Sequence, residues 1–308
     1  MTVSRRRFVQ IIAGCALAGP VPAAGKSEPL KWRGRALGVR AEISVHTGNP
    51  VRARTALAAA TDTIRRMERL FSLYEPASAL LWLNQTGHLS MPPEFARLVG
   101  ACDEIHEWTK GLFDPTVQPL MVALAAGAGD IDGDTAARLS DLVGWQKVLR
   151  DGPVLRFAKP GMALTFNGIA QGFATDRVTE TLAAHGFDRC LVSIGEYRAG
   201  SDPARIGIAG QGDRLLDQVD LKNAALATSS PTGTAFRNGR GHIVRPDLAL
   251  DRGVWRSVTV EAETATIADG ISTALALAPD RRLADSLLKQ QSVRRVWLEN
   301  ASGAFIRL

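Results

Sequence analysis

The residues best suited to chemistry lie in four short segments rich in glycine, hydroxyl groups and single charges. In the last segment, Asp269 and Thr273 are four positions apart, which puts both side chains on one face if the segment is helical. Two oxygen ligands of this kind suit Mg²⁺, which takes few protein ligands and shares its shell with substrate phosphates. The competing interpretation is that Asp269 only caps the helix.

The segment at residues 227–243 is dense in hydroxyl groups and glycine and holds a single histidine, His242. A lone histidine is more often a satisfied hydrogen-bonding group than a catalyst, so His242 by itself assigns no reaction. Another segment passes from an apolar stretch through Asn167-Gly168 into a predicted helix, where backbone amides are free to bind an anion. On its own, that segment is better explained by close packing between a strand and a helix.

The remaining segment places Asp114 before a proline-fixed turn, a pattern that capping explains as well as ligand binding does. No Walker A sequence and no G-x-G-x-x-G fingerprint occurs, so the usual nucleotide-binding folds are unsupported. The cysteines Cys15, Cys102 and Cys190 form no zinc-type cluster, and buried free thiols are favoured over a disulfide.

The composition describes an ordinary globular chain of 308 residues, 45% hydrophobic and 22% charged, long enough to bury a core without disulfides. The net charge is +6, but the first 24 residues hold Arg5, Arg6 and Arg7 and no acid. Without them, 34 basic residues face 31 acidic ones, a net charge of +3. That balance gives no electrostatic case for binding nucleic acid.

The N-terminus has the order of an export signal. Arg5-Arg6-Arg7-Phe8 precedes an apolar stretch at residues 11–21 that ends in small residues, and twin arginine followed by phenylalanine is typical of the Tat pathway. We therefore expect a Tat signal peptide at residues 1–24, location in the periplasm, and a single domain at residues 25–308. A lipid anchor on Cys15 is the weaker alternative, because the apolar segment before it would be very short.

The elements that must position the four segments follow from hydrophobic periodicity and end signals. Asn49-Pro50 begins a predicted amphipathic helix with apolar positions at spacings of three and four, namely Leu57, Ala60, Ile64, Met67 and Phe71. Strands are predicted at residues 41–46 (an edge strand), 154–157, 163–166, 191–194, 205–209, 215–221 and 257–261, helices at 170–185, 266–277 and 281–290, and a closing hairpin at 293–308. This is an α+β arrangement, with a helix-rich N-terminal half and a mixed α/β C-terminal half.

The order of these segments resembles the ApbE family of FAD:protein FMN transferases from about residue 37 to residue 277. The matching strings are ALG at 36–38, FSLYEPASALLWLN at 71–84, FDPTVQPL at 113–120, NGIAQG at 167–172, ATSS at 227–230, GHIVRP at 241–246 and SVTVEAETATIADGISTAL at 257–275. The resemblance implies the T-fold-like ApbE architecture and a Mg²⁺-dependent enzyme. Such an enzyme cleaves FAD, releases AMP and leaves FMN as a phosphoester on a Thr or Ser of a partner protein.

The resemblance also implies a role for each matching residue. His242 corresponds to the general base that takes the proton from the acceptor hydroxyl. The implied Mg²⁺ ligands are the Gly168 carbonyl and the side chains of Asp269 and Thr273, with Ser272 beside them. The implied FAD-binding positions are Leu37, Tyr74, Leu112, Phe113, Asp114, Thr165, Gln171 and Ile243.

Several positions depart from the family pattern, which has an acid at Thr165, a lysine at Gln171, Gly-Gly-Asp at Gly195-Glu196-Tyr197 and an aspartate at Arg245. The variants NGIAQG at 167–172 and IGEYRAG at 194–200, together with the Tat signal, resemble the NosX-like branch of the family. That likeness implies a part in nitrous oxide respiration and, as acceptor, the periplasmic FMN-binding domain of a NosR-like membrane flavoprotein. The alternatives are a periplasmic FAD carrier that catalyses no transfer, and an FAD hydrolase that gives FMN and AMP.

Overall fold

The structure, a computed structural model, describes residues 29–127, 129–210, 214–249 and 253–308. The predicted signal peptide at residues 1–24, with Cys15, lies outside these ranges. Within them, no helix combines the length and the apolar character needed to cross a bilayer.

The described residues form eight α-helices, two short 3-10 turns and thirteen strands. The helices are α1 (Pro50–Phe71), α2 (Ala79–Thr86), α3 (Pro93–Trp108), α4 (Gln118–Ala126), α5 (Gly133–Ser140), α6 (Ala170–Ala184), α7 (Ala265–Leu275) and α8 (Arg282–Leu287), and the 3-10 turns are Pro115–Val117 and Trp145–Lys147. The strands are β1 (Leu30–Ala36), β2 (Val39–Val45), β3 (His88–Ser90), β4 (Val148–Asp151), β5 (Val154–Phe157), β6 (Cys190–Ile194), β7 (Glu196–Ala199), β8 (Ala204–Ala209), β9 (Leu215–Leu221), β10 (Ala224–Ser229), β11 (Trp255–Ala262), β12 (Val293–Asn300) and β13 (Phe305–Arg307).

An antiparallel sheet of eight strands, in the order β1-β2-β6-β7-β10-β11-β12-β13, forms the centre of the fold. Strand β10 is buried along its whole length because helices cover one face of the sheet and the β8–β9 hairpin covers the other. The edge strand β1 instead exposes Lys31, Arg33 and Arg35, and such charges disfavour pairing with another chain. The predicted α+β fold class is confirmed.

Helix α6 packs between α1 and α7 on one face of the sheet. Helix α1 buries its predicted apolar stripe and ends at Phe71, whose ring lies 5.6 to 5.8 Å from the rings of Phe95, Phe166 and Phe173. Aromatic pairs of this kind contribute about 0.5 to 1.5 kcal/mol each beyond the area that they bury. The cluster therefore anchors the chain just before Gly168 to α1 and α3.

Two sequence predictions about strands are wrong. Residues 163–166 form no strand; instead the Asn84 side chain bonds the Leu164 backbone, with Leu164 N–H to Oδ1 at 2.8 Å and Nδ2 to the Leu164 carbonyl at 2.9 Å. The amide of Asn84 thus replaces a neighbouring strand. The strand at residues 39–45 is internal rather than at an edge, because the polar leader before it forms β1 and pairs with it.

Candidate active site

A cavity lies where the β1–β2 turn, the loop after α3, the N-terminus of α6, β7, the end of β10 and helix α7 meet. The structure brings twelve of the thirteen predicted site residues to its wall. These are Leu37, Tyr74, Leu112, Phe113, Asp114, Thr165, Gly168, Gln171, His242, Ile243, Asp269 and Thr273.

Two apolar side chains on the cavity wall, Leu37 and Tyr74, are presented by tight turns. Leu37 has a φ of +47° in the β1–β2 turn, and its N–H donates to Glu68 Oε1 over 3.1 Å. Tyr74 follows the end of α1, where Ser72 Oγ accepts the Tyr74 N–H at 3.0 Å and 67% of the tyrosine stays exposed. An aliphatic and an aromatic side chain held in this way offer apolar surface to a planar ring.

The carboxylate of Asp114 is buried and committed to the fold. Oδ1 accepts the Thr116 N–H at 2.8 Å and the Thr116 hydroxyl at 2.5 Å, while Oδ2 accepts the Trp145 N–H at 3.0 Å. The Pro115 carbonyl in the same turn accepts the Thr165 N–H at 2.9 Å. Capping therefore accounts for the carboxylate of Asp114, which shapes the cavity wall by holding this turn in place.

Three oxygen donors converge at the start of α6. The Thr273 hydroxyl donates to the Gly168 carbonyl over 3.2 Å, and Asp269 precedes Thr273 by one turn on the same face of α7. A Cβ at residue 168 would lie 2.8 Å from Thr273 Cγ2, so glycine is what allows this approach. Carbonyl, hydroxyl and carboxylate oxygens are the hard donors that Mg²⁺ takes, with phosphate and water completing its shell.

The protein oxygens at this site are too few to complete the coordination of a cation. Across the described ranges, no three His, Cys, Asp or Glu side chains gather into a metal-binding cluster. A cation held here would therefore depend on oxygen atoms of its substrate, as Mg²⁺ commonly does at phosphate-transfer sites. The residues present fit Mg²⁺ and do not fit a structural zinc site, which needs four nitrogen or sulfur ligands.

Besides Asp114, two further buried carboxyl groups, Asp269 and Glu196, reach the same cavity. Asp269 is 5% exposed and its Oδ2 accepts the Gly172 N–H at 3.0 Å; Glu196 is 4% exposed and its Oε2 accepts the Thr228 N–H at 3.1 Å. Burial raises the pKa of Asp269 to about 7; the bond from Gly172 opposes this rise and the charge of Asp176 adds to it. Burial and the charge of Asp269 raise the pKa of Glu196 well above its usual value. Each carboxylate thus disfavours the charge of the other.

The described residues that line the cavity include no lysine or arginine. At the predicted cofactor position Gln171, the side chain lies against Gly195, where a Cβ would come within 2.4 Å of Gln171 Oε1. Gly195 also has a φ of +82°, which glycine adopts without strain. Gln171 therefore supplies hydrogen-bonding groups without charge, and two buried carboxyl groups without a lining cation favour the binding of a cation.

Ser272 is the predicted site residue that the structure does not bring to the cavity. It is fully buried, donates to the Asp269 carbonyl at 3.0 Å, and shares a hydrogen bond with Ser229 Oγ at 2.8 Å. Ser229 does line the cavity and lies 3.4 Å from the Thr273 hydroxyl. Ser272 therefore supports Ser229 and the helix rather than facing a ligand.

His242 is oriented by the backbone of its own loop. Its Nδ1 lies 2.9 Å from the Thr234 carbonyl, and because a carbonyl only accepts, Nδ1 carries the hydrogen. Nε2 then holds the lone pair, and the described residues donate no hydrogen bond to it. Burial lowers the pKa of His242, so the ring is neutral at neutral pH. A neutral imidazole with its Nε2 available is what a general base requires.

Glu196 and Ser229 are site residues that sequence reasoning did not assign. In the sequence, Glu196 stands out only as a departure from the family pattern, although an acid directly after strand β6 and a glycine is itself a signal. Ser229 belongs to the ATSS string at 227–230, which matches the family but carries no residue role from the resemblance. Had strand β10 been recognised, the alternation of its side chains between the two faces of the sheet would have shown which hydroxyl faces α7.

Comparison with known proteins identifies the family of the chain. The ApbE family matches the chain over residues 37–297. Two curated relatives are named FAD:protein FMN transferase: the one from Haemophilus influenzae is 28% identical over 231 residues, and the one from Salmonella typhimurium is 27% identical over 232. These alignments cover 66% and 67% of this chain and 67% and 66% of the relatives.

Solved structures share the fold. The apo form of Pseudomonas stutzeri flavinyl transferase ApbE superposes with a TM-score of 0.80 at 22% identity, covering 93% of this chain and 96% of that one. The ApbE protein from Thermotoga maritima gives a TM-score of 0.80 at 25% identity, covering 91% and 97%. Since the family match spans most of the chain and the solved structures share its fold, this protein belongs to the ApbE family.

Proposed function

We propose that the chain is a Mg²⁺-dependent FAD:protein FMN transferase. One observation carries the proposal: the oxygen donors of Gly168, Asp269 and Thr273 share a cavity with the available Nε2 of His242 and with apolar surface for a flavin ring. The name that the two curated relatives carry supports the same activity.

Electrostatics explain why a divalent cation is needed. FAD brings a pyrophosphate, and the described cavity wall offers that anion the carboxyl groups of Asp269 and Glu196 and no lysine or arginine. Anion and carboxylates repel one another strongly where water is excluded. When bound to Gly168, Asp269 and Thr273, Mg²⁺ would neutralise the pyrophosphate and stabilise the charge that develops during transfer.

The chain's own residues then have distinct tasks. Leu37 and Tyr74 pack against the flavin ring, and the Asp114 turn holds Thr165 beside it. His242 Nε2 accepts the proton of the acceptor hydroxyl. The hydroxyl oxygen forms a bond to the phosphorus of the FMN half of FAD, while the anhydride bond between this phosphorus and AMP breaks. The Thr234 carbonyl stabilises the charged imidazole through Nδ1, and the proton is released after AMP leaves.

The location and the acceptor are finer parts of the proposal. A Tat signal at residues 1–24 would deliver the enzyme to the periplasm, and the NosX-like variants at Gln171 and Glu196 support a NosR-like FMN-binding domain as the acceptor. In that setting the enzyme would serve nitrous oxide respiration. A lipid anchor on Cys15 would keep it at the membrane that carries such an acceptor.

The test combines the purified chain, FAD, Mg²⁺ and the periplasmic FMN-binding domain of a NosR-like protein. The acceptor is then examined by fluorescence on a denaturing gel and weighed by mass spectrometry. We expect a fluorescent acceptor heavier by one FMN less water, and loss of this product after chelation. His242→Ala and Asp269→Ala should abolish the product, whereas His88→Ala and Asp62→Ala, at exposed positions outside the cavity, should not.

The other outcomes separate the alternatives. A dark acceptor beside tightly bound FAD would support the carrier. Release of AMP at the same rate with and without acceptor would support the hydrolase. Transfer that persists in the presence of a chelator would overturn the role of the cation while leaving the transferase intact.

A further inference from the structure

Helices α6 and α7 are joined by a reciprocal pair of hydrogen-bonded aspartates, Asp176 and Asp269, here called the helix clasp. Asp269 of α7 accepts the N–H of Gly172 in the first turn of α6 at 3.0 Å. Asp176 of α6 accepts the N–H groups of Ala265 and Thr266, the first two residues of α7, each at 2.8 Å. Each helix therefore supplies the carboxylate that satisfies free amides at the start of the other.

Asp176 does more than begin a helix. Helix α7 has its own cap, because the Thr264 hydroxyl oxygen accepts the Ile267 N–H at 3.2 Å. Asp176 is 4% exposed and also bonds the Thr266 hydroxyl and the Arg198 guanidinium of β7. Its bonds thus fix where α7 lies relative to α6 and the sheet.

The relative position of α6 and α7 matters because the oxygen atoms that would bind the cation are divided between them. The Gly168 carbonyl precedes α6, whereas Asp269 and Thr273 belong to α7. The backbones touch: a Cβ on Gly172 would lie 2.2 Å from the Ala265 carbonyl oxygen. A slide of one helix along the other would therefore part the Gly168 carbonyl from the Thr273 hydroxyl.

We propose that Asp176 is a positioning residue of the cation site, which holds α7 so that the oxygens of Gly168, Asp269 and Thr273 stay within reach of one divalent cation. The inference rests on the proposed function, since it assigns the support of that same site. Residues that orient metal ligands from outside typically change metal affinity about 10- to 100-fold when they are replaced.

The test measures Mn²⁺ binding to the full chain in the presence of FAD, by the electron paramagnetic resonance signal of free Mn²⁺, with FAD alone as the blank. Asp176→Asn keeps the size of the side chain but turns an amide group toward one of the two backbone donors. We expect Mn²⁺ binding to weaken about tenfold or more. In flavin transfer, the Mg²⁺ concentration for half-maximal rate should rise by the same factor, while the rate at saturating Mg²⁺ returns close to that of the unmodified chain.

Thr264→Ala is the matched control, because it removes a cap from the same end of α7 without touching Asp176. It should lower the unfolding temperature and leave Mn²⁺ affinity within twofold. Equal losses of Mn²⁺ affinity in both variants, or no loss in Asp176→Asn, would overturn the inference and leave the transferase standing. An unmodified chain that binds no Mn²⁺ would overturn both the inference and the proposed cation.

Thr266→Val is the second variant, for the case that Asp176→Asn does not fold. It deletes only the hydroxyl that donates to Asp176. A weakening of Mn²⁺ binding greater than that of Thr264→Ala would support the inference, and a weakening no greater than the control would refute it.

Discussion

Replacing Gly172 with alanine tests the backbone contact between α6 and α7 directly. The new Cβ would lie 2.2 Å from the Ala265 carbonyl oxygen and 2.8 Å from Asp269 Cβ. Since real Cβ atoms stay at least 3.0 Å from such neighbours, α6 and α7 must separate by the difference, about 0.8 Å. The movement falls on Asp269, so we expect the rate of flavin transfer to fall at least about tenfold, given that a shift of about 1 Å can cost about 100-fold.

Gly100→Ala is the matched control. Gly100 lies in α3, is exposed, and has nothing within 4 Å of its would-be Cβ. Both substitutions gain helix propensity, up to about 1 kcal/mol for alanine over glycine, but only Gly172→Ala also incurs an overpacking cost of about 1 to 3 kcal/mol. Gly100→Ala should thus raise the free energy of unfolding. The free energy of unfolding of Gly172→Ala should be about 1 to 3 kcal/mol lower than that of Gly100→Ala.

The assays are denaturant unfolding followed by circular dichroism and initial rates of FMN transfer at a Mg²⁺ concentration below saturation. The reasoning fails if Gly172→Ala is as stable as Gly100→Ala, because the two helices would then accommodate a methyl group. It also fails if Gly172→Ala is less stable but transfers FMN at the unmodified rate, because the position of Asp269 would then not matter.

Three further predictions concern other parts of the site. Burial lowers the pKa of His242, so at saturating Mg²⁺, which keeps Asp269 ionised, the transfer rate should stay constant as pH falls to the usual histidine range. The rate should drop only below that range, once Nε2 is protonated, and a drop centred above pH 6.5 would contradict this. Glu196→Gln mimics the protonated acid that burial and Asp269 favour, so we expect the thermal unfolding of the metal-free chain at pH 6 to change little. Mn²⁺ binding, measured by calorimetry, should weaken about tenfold, because the variant cannot become a carboxylate. Unchanged binding would show that Glu196 does not contribute to the electrostatic attraction of the cation. Asn84→Ala removes the amide that bonds the Leu164 N–H and carbonyl, and should lower the free energy of unfolding by about 2 to 4 kcal/mol in denaturant titrations. The control Gln85→Ala, at the next and exposed position, should change it by less than about 0.5 kcal/mol.

The sequence predicted elements whose periodicity is strong. The spacing from Leu57 to Phe71 is unmistakable, and α1 buries those same side chains. Strand β1 was not predicted because Lys31, Arg33 and Arg35 give the segment the composition of a polar leader, although charges at every second position are what an edge strand tolerates. Residues 163–166 are as apolar as a strand, and nothing local shows that Asn84, 80 positions away, bonds the backbone at Leu164.

The sequence predicted those site residues whose type is fixed by a motif. It did not predict the contacts that depend on how the helices and strands pack. Asp269 and Thr273 were found from their spacing; the structure places Thr273 against Gly168 and Asp269 on the wall of the same cavity. The part played by Asp176 depends on how two helices cross, which no spacing within either helix encodes. Whether the hydroxyl of Ser272 faces the cavity likewise depends on which neighbour, here Ser229, is close enough to bond it.

The reciprocal bonds between α6 and α7 also bear on when the cavity can exist during synthesis. Gly172 and Asp269 are 97 positions apart. The pairing of β2 with β6 likewise joins segments that are separated by most of the N-terminal half of the chain. Contacts of such long range close late and slowly, because the loop entropy is lost before the contacts form. Until the ribosome has released α7, the nascent chain therefore has neither a place for a cation nor a complete wall for a flavin. Binding of FAD would then report that folding is complete, so a chain truncated before α7 should emerge without flavin.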